Sequence, residues 1–125
     1  MFQVRVKVSN PRDPARMVEE LFWVDTGAIY SLIPSEMLEK IGVEPTDTRN
    51  VIYADGRSER LPFGYPFMEV EGLKVGGPCP AIFGTKGATP LLGATALENF
   101  GVAADPVEGK LKPILAIIGG FRASR

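Results

Sequence analysis

Leu21-Phe22-Trp23-Val24 is an unbroken apolar run that ends on Asp25, and Thr26-Gly27-Ala28 follows at once. Four bulky or β-branched residues predict a buried strand, and that strand delivers a carboxylate to its end. Burying a carboxylate costs several kcal/mol unless it finds a partner or shares a proton. A fold that carries Asp25 at such a point must bring a second group to it. Few architectures meet that demand.

The rest of the inventory narrows what the second group can be. The 125 residues contain no His, which excludes Ser-His and Cys-His nucleophilic sites, imidazole general bases and His-ligated metals. One cysteine, Cys79, lies between Pro78 and Pro80, so neither an internal disulfide nor a Cys cluster for zinc is available. Cys79 itself reads as a structural thiol of a satellite core or the surface. No metal and no cofactor is expected, and catalysis would fall to Asp, Glu, Lys, Arg, Tyr, Ser or Thr. A formal net charge of −1 sets up no broad field for nucleic acid or an anionic membrane. The longest apolar run, Ile114 to Phe121, is far short of a bilayer span, and Met1 to Arg5 opens no signal peptide. The expected location is cytoplasmic.

Fourteen Gly and eleven Pro favour short strands and many turns. Phe2 to Val8 alternates apolar and polar residues, predicting a half-buried strand, and Asn10 to Pro14 predicts a turn. Glu19 to Val24 is then a second strand antiparallel to the first, losing its alternation as it enters the core. Ile29 to Ile33 predicts a strand stopped by Pro34, followed by a short helix over Glu36–Ile41 with Ser35 as its cap. Asp55-Gly56, between Arg49–Tyr53 and Ser58–Leu61, is a hairpin signal, and Pro62 and Pro66 imply that this hairpin projects or lies at an edge. Phe67–Val70 and Leu73–Val75 continue the β pattern around Glu71-Gly72, and Pro80–Phe83 adds a short strand. Pro90 to Gly93 predicts a buried strand, Ala94–Phe100 a helix closed by Gly101, and Val102–Ala104 with Lys110–Lys112 a late hairpin. The whole describes a single mostly-β barrel or sandwich with one or two short helices.

Two carboxylates within hydrogen-bond reach cannot both ionise, so the pair holds one proton over a wide pH range. One member then takes a proton from water while the other protonates a peptide carbonyl, which is hydrolysis without metal, His or covalent intermediate. The other aspartates, Asp13, Asp47, Asp55 and Asp105, sit in polar or Pro/Gly-rich turns, and Asp-Thr-Gly occurs once. The economical partner for Asp25 is its own copy across a two-fold axis, because a residue near such an axis meets itself. A homodimer follows.

Trp23 to Ile33, with Asp25-Thr26-Gly27-Ala28, two further residues and then Ser31, resembles the active-site segment of retroviral-type (retropepsin-like) aspartic proteases. Asp55 lies thirty residues beyond Asp25, near where that family places its flap tip. Leu91-Leu92-Gly93 with the following helix resembles the family's second apolar-apolar-Gly element, and Ala104 to Pro113 is similar to the closing hairpin of small prokaryotic members. The resemblance implies a single-lobe acid-protease barrel over residues 1–113, with 114–125 a tail that, with the N-terminal strand, contributes to a dimer sheet. It implies that Asp25 is the catalytic carboxylate and that Thr26 ties the two active-site loops together. Gly27 would permit the tight turn, and Ala28 would leave room for substrate backbone. Tyr53, Ala54, Asp55, Gly56 and Arg57 would be the flap over an extended peptide, and Leu91, Leu92 and Gly93 the support beneath the loop. Ile29, Ile52, Ile82 and Leu91 are the apolar side chains expected to line the cleft.

Other readings accompany each feature. Asp before Gly is most often a turn or a helix cap. Glu19-Glu20 and Glu69 with Glu71 are formal carboxylate pairs for a glycosidase, set against solvated strand faces. Arg57 and Arg60 read as edge-strand charges, and Tyr53 and Trp23 as core or cleft wall. Two functional classes are therefore carried forward. One is a homodimeric aspartic endopeptidase acting on an extended peptide or protein. The other is a peptide-binding or dimerisation domain of the same fold with slow or no hydrolysis.

Overall fold

The computed structural model describes residues 1–115, so most of the 114–125 tail lies outside the described residues. These residues are mostly β, with a curled half-barrel sheet and two short helices among them. Its strands are β1 (Gln3–Asn10), β2 (Asp13–Val24), β3 (Ser31–Pro34), β4 (Asp47–Ile52), β5 (Ser58–Gly64), β6 (Phe67–Val70), β7 (Gly76–Pro78), β8 (Ala81–Gly84), β9 (Leu91–Leu92), β10 (Val102–Asp105) and β11 (Lys110–Pro113). The helices are α1 (Ser35–Lys40) and α2 (Ala94–Phe100). Nine strands form one sheet in the order β4-β5-β8-β3-β9-β2-β1-β6-β7, and β10 and β11 pair separately.

The alternation in β1 does what period two dictates. Val6 and Val8 are fully buried, while Arg5 and Lys7 face outward and pair with Glu71 (3.6 Å) and Glu69 (3.7 Å). Glu69 and Glu71 are thus partners of cations on an outer sheet face. β2 returns antiparallel in register Val4↔Phe22 and Val6↔Glu20. It begins at Asp13, six residues earlier than the sequence pattern suggests, because pairing with β1 (Val8↔Val18, Ser9↔Met17, Asn10↔Asp13) carries the ladder through a stretch with no regular alternation of its own. Its alternation also survives to the end: Phe22 and Val24 are buried, but Leu21 is 39% exposed and Trp23 only half-buried. The apolar run is therefore two-faced, with one face in the core and the other on the rim of a groove.

The main core joins Val6, Val8, Phe22 and Val24 to Met68 and Val70 of β6, Leu38 of α1 and Leu97 and Phe100 of α2. Fully burying each such side chain contributes about 1.5–3 kcal/mol. Cys79 is fully buried in this core, and burial pushes its thiol pKa up. A smaller cluster of Leu61, Phe63 and Ile82, with Tyr30, Leu32 and Val51 against it, fixes the base of the β4–β5 hairpin.

Local details differ from the sequence expectations for identifiable reasons. Pro34 rather than Ser35 stands at the N-cap of α1, and no side chain caps it. The strand after the Glu71-Gly72 turn is Gly76–Pro78, not Leu73–Val75, because Lys74 adopts φ 56° and breaks extension there. β1 lies between β2 and β6, with Val6–Ser9 paired on both sides. Half of β1 is therefore paired on both sides, which leaves Gln3 to Arg5 and Asn10 without a β6 partner.

In the terminal hairpin Asp105 Oδ2 accepts from Lys112 Nζ at 2.8 Å, and Oδ1 accepts from the Val107 and Glu108 amides. Lys112, then the Glu108 amide, lower the Asp105 pKa from 3.8 to about 2. A depressed folded-state pKa gives stability that is present above the ordinary value and lost as pH falls through the folded one. The hairpin should therefore hold through mildly acidic pH and loosen only between pH 3.8 and about 2. NMR titration of the Asp105 carboxyl is the check, and a midpoint at its ordinary value would contradict the geometry.

Candidate active site

Asp25 sits where β2 runs out, and the loop behind it is held by backbone bonds to β9 and α2. β9 lies between β2, which it joins in parallel (Trp23↔Leu91), and β3, which it meets antiparallel (Leu32↔Leu91). The Asp25 amide donates to the Leu92 carbonyl at 2.9 Å. The Ala94 and Thr95 amides, orphan donors of the first turn of α2, bond the carbonyls of Ala28 (2.8 Å) and Ile29 (2.9 Å). Between them the Gly93 amide donates to Ser31 Oγ at 3.1 Å, with Ser31 fully buried.

Gly93 is required by this packing. A Cβ there would lie 2.5 Å from the carbonyl carbon and oxygen of Tyr30 and 2.9 Å from the Ala28 oxygen. Ser31 is needed for a different reason, since it is the acceptor for a buried N–H. Ser31→Ala should lower stability by about 1–3 kcal/mol, the penalty of an unsatisfied buried donor. Chemical denaturation measures it, and an unchanged midpoint would mean that water replaces the hydroxyl.

The Asp25 carboxylate is half-exposed in the single chain, not buried as the apolar run before it suggests, because β2 ends at the surface of a cleft. Its Oδ1 accepts from the Gly27 amide at 3.0 Å, which orients the group. Gly27 lies outside the left-handed region, so its φ does not demand glycine; a Cβ there would lie 3.3 Å from Asp25 Oδ1. Thr26 is exposed and lies outside the cleft lining, whereas Ala28 is part of it.

The cleft measures about 710 Å³. Ile29, Ile52, Ile82 and Leu91, the four apolar residues picked from the sequence, all line it. Asp25 is the one carboxylate in that lining. Tyr30, Leu32, Asn50 and Val51 also line it and were not anticipated. Tyr30 could have been suspected from its place two residues after Ala28, but Asn50 and Val51 reach the cleft only through the pairing of β4 with β5. Tyr30 packs edge-on to Phe63, with centroids 4.9 Å apart, tying the active-site loop to the hairpin base.

That hairpin pairs Ile52 with Ser58 and closes on Tyr53 to Arg57. The Gly56 amide bonds the Tyr53 carbonyl, and Gly56 takes φ 87°, so this is a three-residue loop with a glycine bulge rather than a two-residue turn. Of the five predicted flap residues, Tyr53 and Ala54 line the cleft, while Asp55, Gly56 and Arg57 form an exposed tip beyond it. The Arg57 amide and guanidinium lower the Asp55 pKa. The Tyr53 hydroxyl donates to Glu59, which raises its pKa, and Arg57 lies 4.8 Å from the Tyr53 ring centroid. Among the described residues no group of three or more acidic or Cys side chains is placed to hold a metal ion.

No protein-family model matches the chain, and no curated protein matches it. No helix among the described residues is long and apolar enough to cross a membrane.

Proposed function

We propose that this chain is one half of a homodimeric, retropepsin-like aspartic endopeptidase. Two symmetry-related Asp25 carboxylates activate a water for attack on a peptide bond. The observation that carries this reading is the single carboxylate at the floor of an apolar, hairpin-flanked cleft, on a loop pinned through Leu92, Gly93 and Ala94. One carboxylate cannot act as both acid and base in a single step, and a two-fold axis through the Asp25 loop supplies the second. Exposed Thr26 is then the residue free to bond the partner loop. An extended peptide bound between hairpin and loop buries apolar side chains against Ile29, Ile52, Ile82 and Leu91.

The mechanism follows from a shared proton. The ionised member of the pair takes a proton from water as its oxygen attacks the carbonyl carbon, and the protonated member donates to the carbonyl oxygen. Collapse of the tetrahedral intermediate returns a proton to the leaving amine and regenerates the pair. The test is digestion of a mixed peptide library between roughly pH 3 and pH 7, the range in which such pairs titrate, alongside sedimentation. Cleavage by a dimer is expected. A strict monomer that cleaves peptides would remove the dyad, and a dimer that binds but never cleaves would leave the peptide-binding reading.

A further inference from the structure

A second concavity, of about 410 Å³, opens along the outward face of β2. Its apolar wall is Leu21, Trp23, Met37 and Pro90, and two carboxylates, Glu20 and Glu36, belong to its lining. Glu36 is held by the Gly87 amide at 2.9 Å and Glu20 by the Leu21 amide at 3.0 Å. Neither takes part in an ion pair among the described residues, whereas Glu69, Glu71, Asp47, Asp55, Asp105 and Glu108 all do. Among the described residues no Lys or Arg lines the groove.

Its position relative to Asp25 follows from strand geometry. Leu21, Trp23 and Asp25 alternate with buried Phe22 and Val24, so they follow one another along one face. At about 3.3 Å per residue, Trp23 stands roughly 7 Å and Leu21 roughly 13 Å from Asp25, the reach of two to four residues of an extended peptide.

We propose that this groove is a specificity site for a basic side chain of the peptide substrate, two to four residues from the bond at Asp25. An Arg or Lys side chain lays its methylenes along Leu21 and Met37, sets its cation against the Trp23 ring and pairs with Glu20 and Glu36. The charge of the lining selects this occupant over an apolar or acidic one. The proposal rests on the endopeptidase reading for its substrate class, but its test does not need hydrolysis.

Trp23 is the only tryptophan, so its fluorescence reports the groove directly. Asp25→Asn protein is titrated with apolar octapeptides that carry Arg, its neutral isostere citrulline, or Glu three residues from the centre. The Arg peptide should bind about tenfold tighter than the citrulline peptide, the sum of an exposed ion pair and a cation–π contact. The double change Glu20→Gln with Glu36→Gln should cut that difference to about threefold, the cation–π contact with Trp23 alone, while leaving citrulline binding unchanged. Equal affinities for Arg and citrulline, or a preference for Glu, would overturn the proposal. So would a Trp23 signal that follows protein concentration instead of peptide, which would make the groove an interface between copies. Wild type is assayed separately for cleavage of the same peptides. Failure there with Arg selectivity intact rejects the endopeptidase and spares the groove; cleavage without Arg selectivity does the reverse.

Discussion

Asp25→Asn is expected to reduce peptide hydrolysis by roughly 10²- to 10⁴-fold, the usual loss when a positioned acid–base group is removed. The fold should be untouched. Among the described residues the Asp25 carboxylate makes one bond, from the Gly27 amide, and the side-chain oxygen of an asparagine can accept it equally well. The Asp25 backbone amide, which bonds Leu92, does not change. In the proposed dimer the substitution would also remove two facing carboxylates, so association should be as strong as in wild type or stronger. The measurement is initial rate on a cleaved library peptide, with sedimentation and thermal melting as controls. Hydrolysis surviving in the pure Asp25→Asn protein would end the dyad mechanism, whatever the oligomeric state.

Gly93→Ala should have the largest effect on stability of any single methyl added to the chain around the site. The new Cβ meets backbone at 2.5 Å, the carbonyl of Tyr30, which cannot swing aside as a side-chain tip can. Overpacking of this kind costs about 3 kcal/mol or more, with a fall in Tm on the order of 10 °C. Relief would require β9 to part from the Ala28–Tyr30 segment, breaking the bonds from Gly93, Ala94 and Thr95 that hold the loop. Activity should therefore fall even where the variant remains folded. Gly77→Ala is the matched control, since its Cβ would have nothing nearer than Asn99 at 3.8 Å. Equal melting temperatures for the two variants would show that the Asp25 loop is not braced as described.

The elements that could be read from the sequence are those governed by neighbours along the chain. Val4, Val6 and Val8 alternate, Ala94–Phe100 ends on a glycine at φ 69°, and Asp55-Gly56 reverses the chain between β4 and β5. Less legible was anything set by pairing at a distance. β2 starts at Asp13 because β1 offers it a ladder, and Lys74 delays β7 by a left-handed kink that a Leu-Lys-Val pattern does not signal. The two faces of Leu21 to Val24 were hidden for a related reason. A run of four apolar residues looks the same whether both faces meet core or one meets a groove.

For the candidate site, the apolar run ending on a carboxylate singled out Asp25, and the lack of His and of a second Cys removed imidazole and cysteine-cluster chemistry. Thr26 to Ala28, Ser31 and the Leu-Leu-Gly element came in only through the resemblance to retropepsin-like proteases. The support of the Asp25 loop by Leu91 to Gly93 was expected from that resemblance alone, because the contact joins segments more than sixty residues apart that no local pattern links. Ile29, Ile52, Ile82 and Leu91 were expected in the cleft, but the strand pairing that gathers them is tertiary, and the second groove beside Trp23 and Glu20 had no sequence signal. The bracing of the Asp25 loop follows from the insertion of β9 between β2 and β3, and the place of Ile52 in the cleft from the pairing of β4 with β5. Strand insertion is settled by burial of Leu92 in the core and by ladder bonds on both sides, which no local pattern encodes.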